Sequence, residues 1–182
     1  MATLLDWFLA AIPAILAFGA LTLAVVLALI AWRARRRGWR AALGATAPDG
    51  VLVMALGAIA ILTLGDPMGP QPDRVNLIPF RDQWWALQGL IDPALATATL
   101  VANVLLFVPL GAALSARHPE VGGWRLVVVA AGVSIGVEAV QGVMDTGRLA
   151  DVTDVLANAA GAAIGVVLWG MLAGEGPNER SA

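Results

Sequence analysis

The sequence predicts an all-α membrane protein, a polytopic bundle of about five transmembrane helices, and three observations carry that prediction. Hydrophobic residues fill 59% of the 182 positions and charged residues only 13%, against roughly a quarter charged in ordinary globular domains. Mean hydropathy is +0.81. The apolar residues stand in unbroken blocks, not in the alternating or amphipathic patterns that a water-facing strand or helix needs.

The first block runs from about Phe8 to Trp32, with Trp7 and Trp32 as interface anchors and Arg33, Arg35, Arg36, Arg37 and Arg40 directly after it. Met1 to Asp6 holds no basic residue and the block is too long for a signal core, so it reads as a retained helix. The second block is interrupted by Pro48, Asp49 and Gly50. A helix capped by Thr46, with Pro48 and Asp49 in its first turn, reaches Leu64 and is barely long enough to cross. A polar loop from Gly65 to about Pro93 follows, holding Pro67, Pro70, Pro72 and the string from Asn76 to Trp85. The third span is Ala94 to Leu114, the fourth Leu126 to Val143 and the fifth Val155 to Leu172, joined by short polar turns. Residues 173–182 form a short polar tail.

In a membrane protein the distribution of charge says more than the net value of −2. With the first arginine cluster in the cytoplasm, five crossings place Arg117, Arg125 and Arg180 inside as well. Arg74, Arg81 and Arg148 then lie outside, eight arginines against three. The N-terminus is expected outside, the C-terminus inside, and the 65–93 and 144–154 loops outside. The absence of Cys excludes disulfides, thiolate metal sites and Cys nucleophiles. A lone His118, on an inner turn beside Arg117, offers no basis for histidine chemistry and reads as solvated. Nothing in the charge pattern points to nucleic acid.

A carboxylate in hydrocarbon costs on the order of 3 kcal/mol, which marks Glu138 in the fourth span. Ser134, Glu138, Gln141 and Asp145 follow at i, i+4, i+7 and i+11, one side of a helix. Asp151, Asp154, Asn158, Gly161 and Gly165 make a second stripe on the fifth span, and Asn103, with Thr99 one turn away, lies on the third. At roughly 1.5 Å of rise per residue, Glu138 lies about 7 Å below the outer end of its helix, Asn158 about 6 Å and Asn103 about 13 Å. These depths predict a polar cavity opening outward between the third, fourth and fifth spans. Arg81 and Arg148 would pair there with Glu138, Asp151 or Asp154, or bind an anionic headgroup or phosphate. Structural roles compete with this reading. Asp151 and Asp154 suit a helix start as caps. Asn103 and Gln141 suit hydrogen bonds between helices. Gly132 with Gly136, and Gly161 with Gly165, are small-residue pairs that permit close helix packing.

The strings Asn76-Leu77-Ile78-Pro79-Phe80, Asn103 to Gly111, Glu138-Ala139-Val140-Gln141 and Arg148 to Gly165 occur in this order, and together they resemble the VanZ-like membrane proteins. The resemblance covers residues 65–172 as the core. Residues 1–64 supply two preceding helices, of which the first is an added span. The resemblance implies a multi-pass helical domain in the bacterial cytoplasmic membrane, of a family named for a protein associated with low-level teicoplanin resistance. It implies no known reaction.

The binding set expected from motif and depth together is Asn76, Pro79, Phe80, Arg81, Asn103, Glu138, Gln141, Arg148, Asp151, Asp154 and Asn158. The preferred function is binding of membrane lipid through its headgroup, a cell-wall precursor or an amphiphilic antibiotic at the outer surface. The alternative is an enzyme acting on a lipid-linked or phosphate-bearing substrate. There Glu138, Asp151 and Asp154 would serve as general acid and base or hold Mg²⁺ or Mn²⁺, although the sequence requires no cofactor. A transporter or proton relay is a weaker third reading, because so short a chain offers few gates.

Overall fold

In lipid each backbone N–H and C=O must be satisfied inside its own segment, and a helix does this residue by residue. The computed structural model describes residues 4–64, 75–144 and 150–174. Among them are α1 (Leu4–Arg37), α2 (Trp39–Leu64), α3 (Arg81–Leu87), α4 (Pro93–Arg117), α5 (Gly123–Met144) and α6 (Val152–Leu172). Five of these helices, all but α3, are long and apolar enough to cross a membrane. Two two-residue strands, β1 (Val75–Asn76) and β2 (Ala150–Asp151), pair in parallel at one end of the bundle.

α2 starts earlier than the sequence suggests. A single residue, Gly38 at φ +79°, separates it from α1, a left-handed position that glycine adopts without strain. The helix then continues from Trp39 through Pro48, so Thr46 is an interior residue and no cap. Its hydroxyl donates to the Ala42 carbonyl (2.8 Å) and accepts from Arg33 Nη1 (2.8 Å). Pro48 deprives the Gly44 carbonyl of its usual donor, and Arg33 Nη1 also donates to the next carbonyl, Ala45 (3.3 Å). With 26 residues α2 has ample length to cross a hydrocarbon core of about 30 Å.

The 65–93 region is also more than a loop. Residues 65–74 lie outside the described set, but β1 and the seven-residue α3 follow, and α3 buries none of its residues. Trp84, Trp85 and Leu87 are all exposed on it, which suits a helix lying at a membrane surface with aromatic side chains at headgroup level.

α4 and α6 form the most extensive helix pair, with α5 against α6, α2 against α4 and α1 against α2. Glycine sets the closest approach. A Cβ at Gly161 would strike the Val104 carbonyl, one at Gly165 the Val108 carbonyl, and one at Gly111 the Ala162 carbonyl. The backbones of α4 and α6 therefore touch across a surface with almost no side chain between them, as small-residue packing in membranes permits. Phe107, Leu110, Ala162 and Val166 fill the core beside this contact. α1 docks on α2 similarly, with Phe18 over Gly57 and Val26 over Gly50. The Gly132–Gly136 pair departs from expectation: both residues are exposed, and a Cβ on either meets nothing within 4 Å. α5 meets its neighbours with other faces, and this pair faces outward.

Gly161→Ala should lower stability in detergent by about 1–3 kcal/mol, the usual cost of overpacking, whereas Gly136→Ala should leave it unchanged or slightly raised. Thermal unfolding of the two purified variants against the parent checks both.

Candidate functional site

The polar stripes of α5 and α6 converge where β1 and β2 meet. β2 delivers Asp151 to the start of α6, where it is the N-cap and its Oδ1 accepts from Thr153 N–H (2.7 Å). The other oxygen, Oδ2, accepts from Asn76 Nδ2 (2.8 Å). Asp151's own backbone N–H donates to Glu138 Oε2 (2.8 Å). One residue thus ties α6 to β1 and to α5. The capping role foreseen for Asp151 is present, together with a second role that capping alone does not require.

Asn76 is 3% exposed and fully used. Its Oδ1 accepts from Ile78 N–H (3.1 Å), and its Nδ2 donates to the Ile78 carbonyl (3.2 Å) as well as to Asp151. The resulting turn leads through Pro79 to Phe80, which takes φ +57° and ψ +27° as the residue before α3. An aromatic side chain in this left-handed region costs on the order of 1–2 kcal/mol. Thr153 Oγ1, accepting from Phe80 N–H at 2.9 Å, holds it there. The first and last family-like strings are therefore bonded to each other, Asn76 to Asp151 and Phe80 to Thr153, across more than 70 residues of chain.

Deeper in the bundle, Asn158 Nδ2 donates to Ser134 Oγ (2.8 Å), both residues being buried. Gln141 and Glu138 are buried on α5, and Asp154 is half-buried in the first turn of α6. Asn103 Nδ2 on α4 and Asn158 Oδ1 on α6 are buried without a hydrogen-bond partner, as is Gln83 Oε1 of α3. Gln83 Nε2 donates to the Ala96 carbonyl (3.2 Å), pinning α3 onto α4.

Of the residues expected from the sequence, Asn76, Glu138 and Asp151 form one network. Phe80 joins it through Thr153, and Asn158 joins Ser134 below it. Arg81 is placed differently. Its guanidinium lies over the Trp85 ring (4.6 Å to the centroid) and meets Asp82 (Nε to Oδ1 3.4 Å), so it pairs within its own helix. Arg148 and Asp145 lie outside the described residues. Among the described residues no group of three His, Asp or Glu side chains is placed to hold a metal ion. Glu138 and Asp151 meet N–H donors instead. Thr153 and Gln83 do not stand out in the sequence as site residues. Thr153 carries a readable signal, a hydroxyl two residues past an N-cap aspartate, but its partner Phe80 lies too far along the chain to be paired by spacing.

Beside this network lies a hollow of about 420 Å³ whose lining includes Ile78, Phe80, Arg81, Trp84, Trp85 and Leu87. It is apolar and aromatic, with one cation at its edge.

A sequence model described as VanZ/LLP1 matches residues 50–173. The matched stretch reaches back into α2 and leaves α1 outside. No curated protein and no solved structure matches the chain.

Asn76→Asp keeps the side-chain shape but sets a second carboxylate against Asp151 and removes the donated bond. It should cost about 1–3 kcal/mol, more than Asn76→Ser. Hydrogen exchange should show residues 75–87 losing protection while the α4–α6 contact keeps its own.

Proposed function

The chain belongs to the VanZ/LLP1 family, and from that premise we propose that it binds an amphiphile at the polar end of its membrane bundle. The hollow beside α3 supports this reading most directly. Phe80, Trp84 and Trp85 offer apolar faces to a chain or ring system, Arg81 offers a guanidinium to an anionic group, and all four sit on one short surface helix or its cap. Aromatic side chains of this kind favour the level of the headgroups, where a ligand is part apolar and part wet. The buried network braces the hollow from beneath, since Asn76 and Phe80 are bonded to the start of α6.

Binding fits Asp151 and Glu138 better than turnover does. A general base needs a carboxylate within reach of substrate, whereas Asp151 has both oxygens bonded to N–H groups and Glu138 Oε2 accepts from Asp151. The occupant is an anionic lipid headgroup, a lipid-linked cell-wall precursor or an amphiphilic antibiotic. These share an apolar portion and an anionic or polar head. A resistance role of the teicoplanin type is the cellular consequence if the occupant is the antibiotic. The arginine distribution supports an orientation with this end outward in the bacterial cytoplasmic membrane. Arg33 to Arg37, Arg40, Arg117 and Arg125 gather at the opposite end, while Arg81 is here.

Arg81→Gln and Trp84→Ala should each lower the amount of amphiphile that co-purifies, by about fivefold for the arginine. Mass spectrometry of protein extracted in mild detergent measures it, and unchanged content in both variants would sink the binding reading. Orientation has its own test: a periplasm-active reporter joined after Trp85 should give signal, and silence would place this end in the cytoplasm.

A further inference from the structure

A second recess stands at the other end of the bundle, where α1, α2 and α4 meet. It has a volume of about 540 Å³, and its lining includes Trp32, Arg33, Arg36, Arg37 and Arg117, with Asp49 as its acid. We infer that this recess is a binding site for the headgroup of an anionic membrane phospholipid, separate from the hollow beside α3.

Part of the arginine content has a simpler origin. Cations in the last turn of a helix offset its dipole, and a basic cluster fixes membrane orientation. Neither effect calls for a cavity. The recess exists because α2 and α4 present small residues opposite the cluster, namely Gly44, Ala45 and Ala116. A Cβ at Gly44 would meet nothing within 4 Å, so its side of the recess is open space.

The arginines also divide by task. Arg33 is bonded to Thr46 and the Ala45 carbonyl, and Arg117 Nε is paired with Asp49 (2.8 Å). Both are thereby fixed as walls. Arg36 and Arg37 have no acid partner among the described residues, and Arg36 is held over the Trp32 ring (5.4 Å to the centroid). Four arginines against one aspartate leave the recess with a net charge of about +3 at neutral pH. Arginine suits the phosphate of a phosphodiester, which it meets with two parallel N–H donors.

Location selects the lipid over a free anion. Trp32 and Trp39, both more than half exposed, stand at the ends of two spanning helices. Tryptophan there marks the headgroup level of the bilayer. Basic pockets between membrane helices at that level are suited to anionic headgroups. The recess lies mostly in residues before position 50, outside the matched family region.

The test uses the full-length protein purified in a neutral detergent, titrated separately with short-chain phosphatidylglycerol, phosphatidylcholine and inorganic phosphate. Thermal unfolding and native mass spectrometry are the readouts. Phosphatidylglycerol should raise Tm saturably, while phosphatidylcholine and phosphate at equal concentration should not. Arg36→Gln/Arg37→Gln, at exposed positions, should weaken phosphatidylglycerol binding about fivefold per arginine removed. Gly44→Leu keeps every charge but fills the recess, and should weaken binding as well; Arg35→Gln, exposed in the same cluster but outside the lining, should weaken it less than either Arg36 or Arg37 does. Full binding in Gly44→Leu would reduce the site to diffuse charge attraction and overturn the inference. So would an equal response to inorganic phosphate, or a loss in Arg35→Gln as large as the loss per arginine in Arg36→Gln/Arg37→Gln.

Discussion

Three hydrogen bonds on one aspartate hold the polar end of the bundle together. Asp151 satisfies the first turn of α6 with one oxygen, takes the Asn76 amide with the other, and gives its backbone N–H to Glu138. A half-buried carboxylate is tolerated where its charge is met by several donors, and an N–H withdrawn from water where it finds an acceptor. Here the two requirements meet at a single residue. The β1–β2 pairing, the turn at Ile78 and Pro79 and the left-handed Phe80 all rest on that arrangement, because each lies one bond away from Asp151 or Thr153.

The network keeps its place because the helices beneath it are fixed by backbone contact. Gly111, Gly161 and Gly165 bring α4 and α6 together so closely that a methyl group on any of them would enter the opposing main chain. Lipid offers no hydrophobic drive to hold helices together, so close packing and polar bonds between helices must supply it. The Asn158–Ser134 bond adds α5 to the same assembly. With α4, α5 and α6 in register, the start of α6 faces the end of α5, and Glu138 falls within reach of Asp151.

The two ends of the bundle handle charge in opposite ways. At the polar end, Asn76, Glu138 and Asn158 are turned inward, and α3 exposes Trp84, Trp85 and Leu87. At the arginine-rich end, among the described residues, only Arg33 and Arg117 are anchored by polar bonds to other helices, and Arg36 and Arg37 face the recess. Headgroup level suits both, since aromatic side chains and arginines are each at home at a membrane–water interface.

The sequence by itself determined that the chain is a membrane bundle with five spans, because uninterrupted apolar blocks have no other stable home. It also singled out Glu138 and Asn158, since polar groups at membrane depth are costly wherever their partners lie, Asp151 by its place on the stripe of Asn158, and Asn76 by its family-like string. Which partner each one takes was decided only by tertiary structure. Helical spacing places Glu138 on a face but says nothing of the Asp151 N–H, and no period links Phe80 to Thr153. The glycines show the same limit. Gly132 with Gly136 and Gly161 with Gly165 have identical spacing, yet only the second pair meets another backbone, because the side of a helix that finds a neighbour depends on where the other helices stand. Thr46 resembles a cap in sequence but lies inside α2 for a related reason. The one-residue turn at Gly38 lets α2 begin eight residues earlier, with Arg33 of α1 bonded to Ala45 and Thr46 just before Pro48.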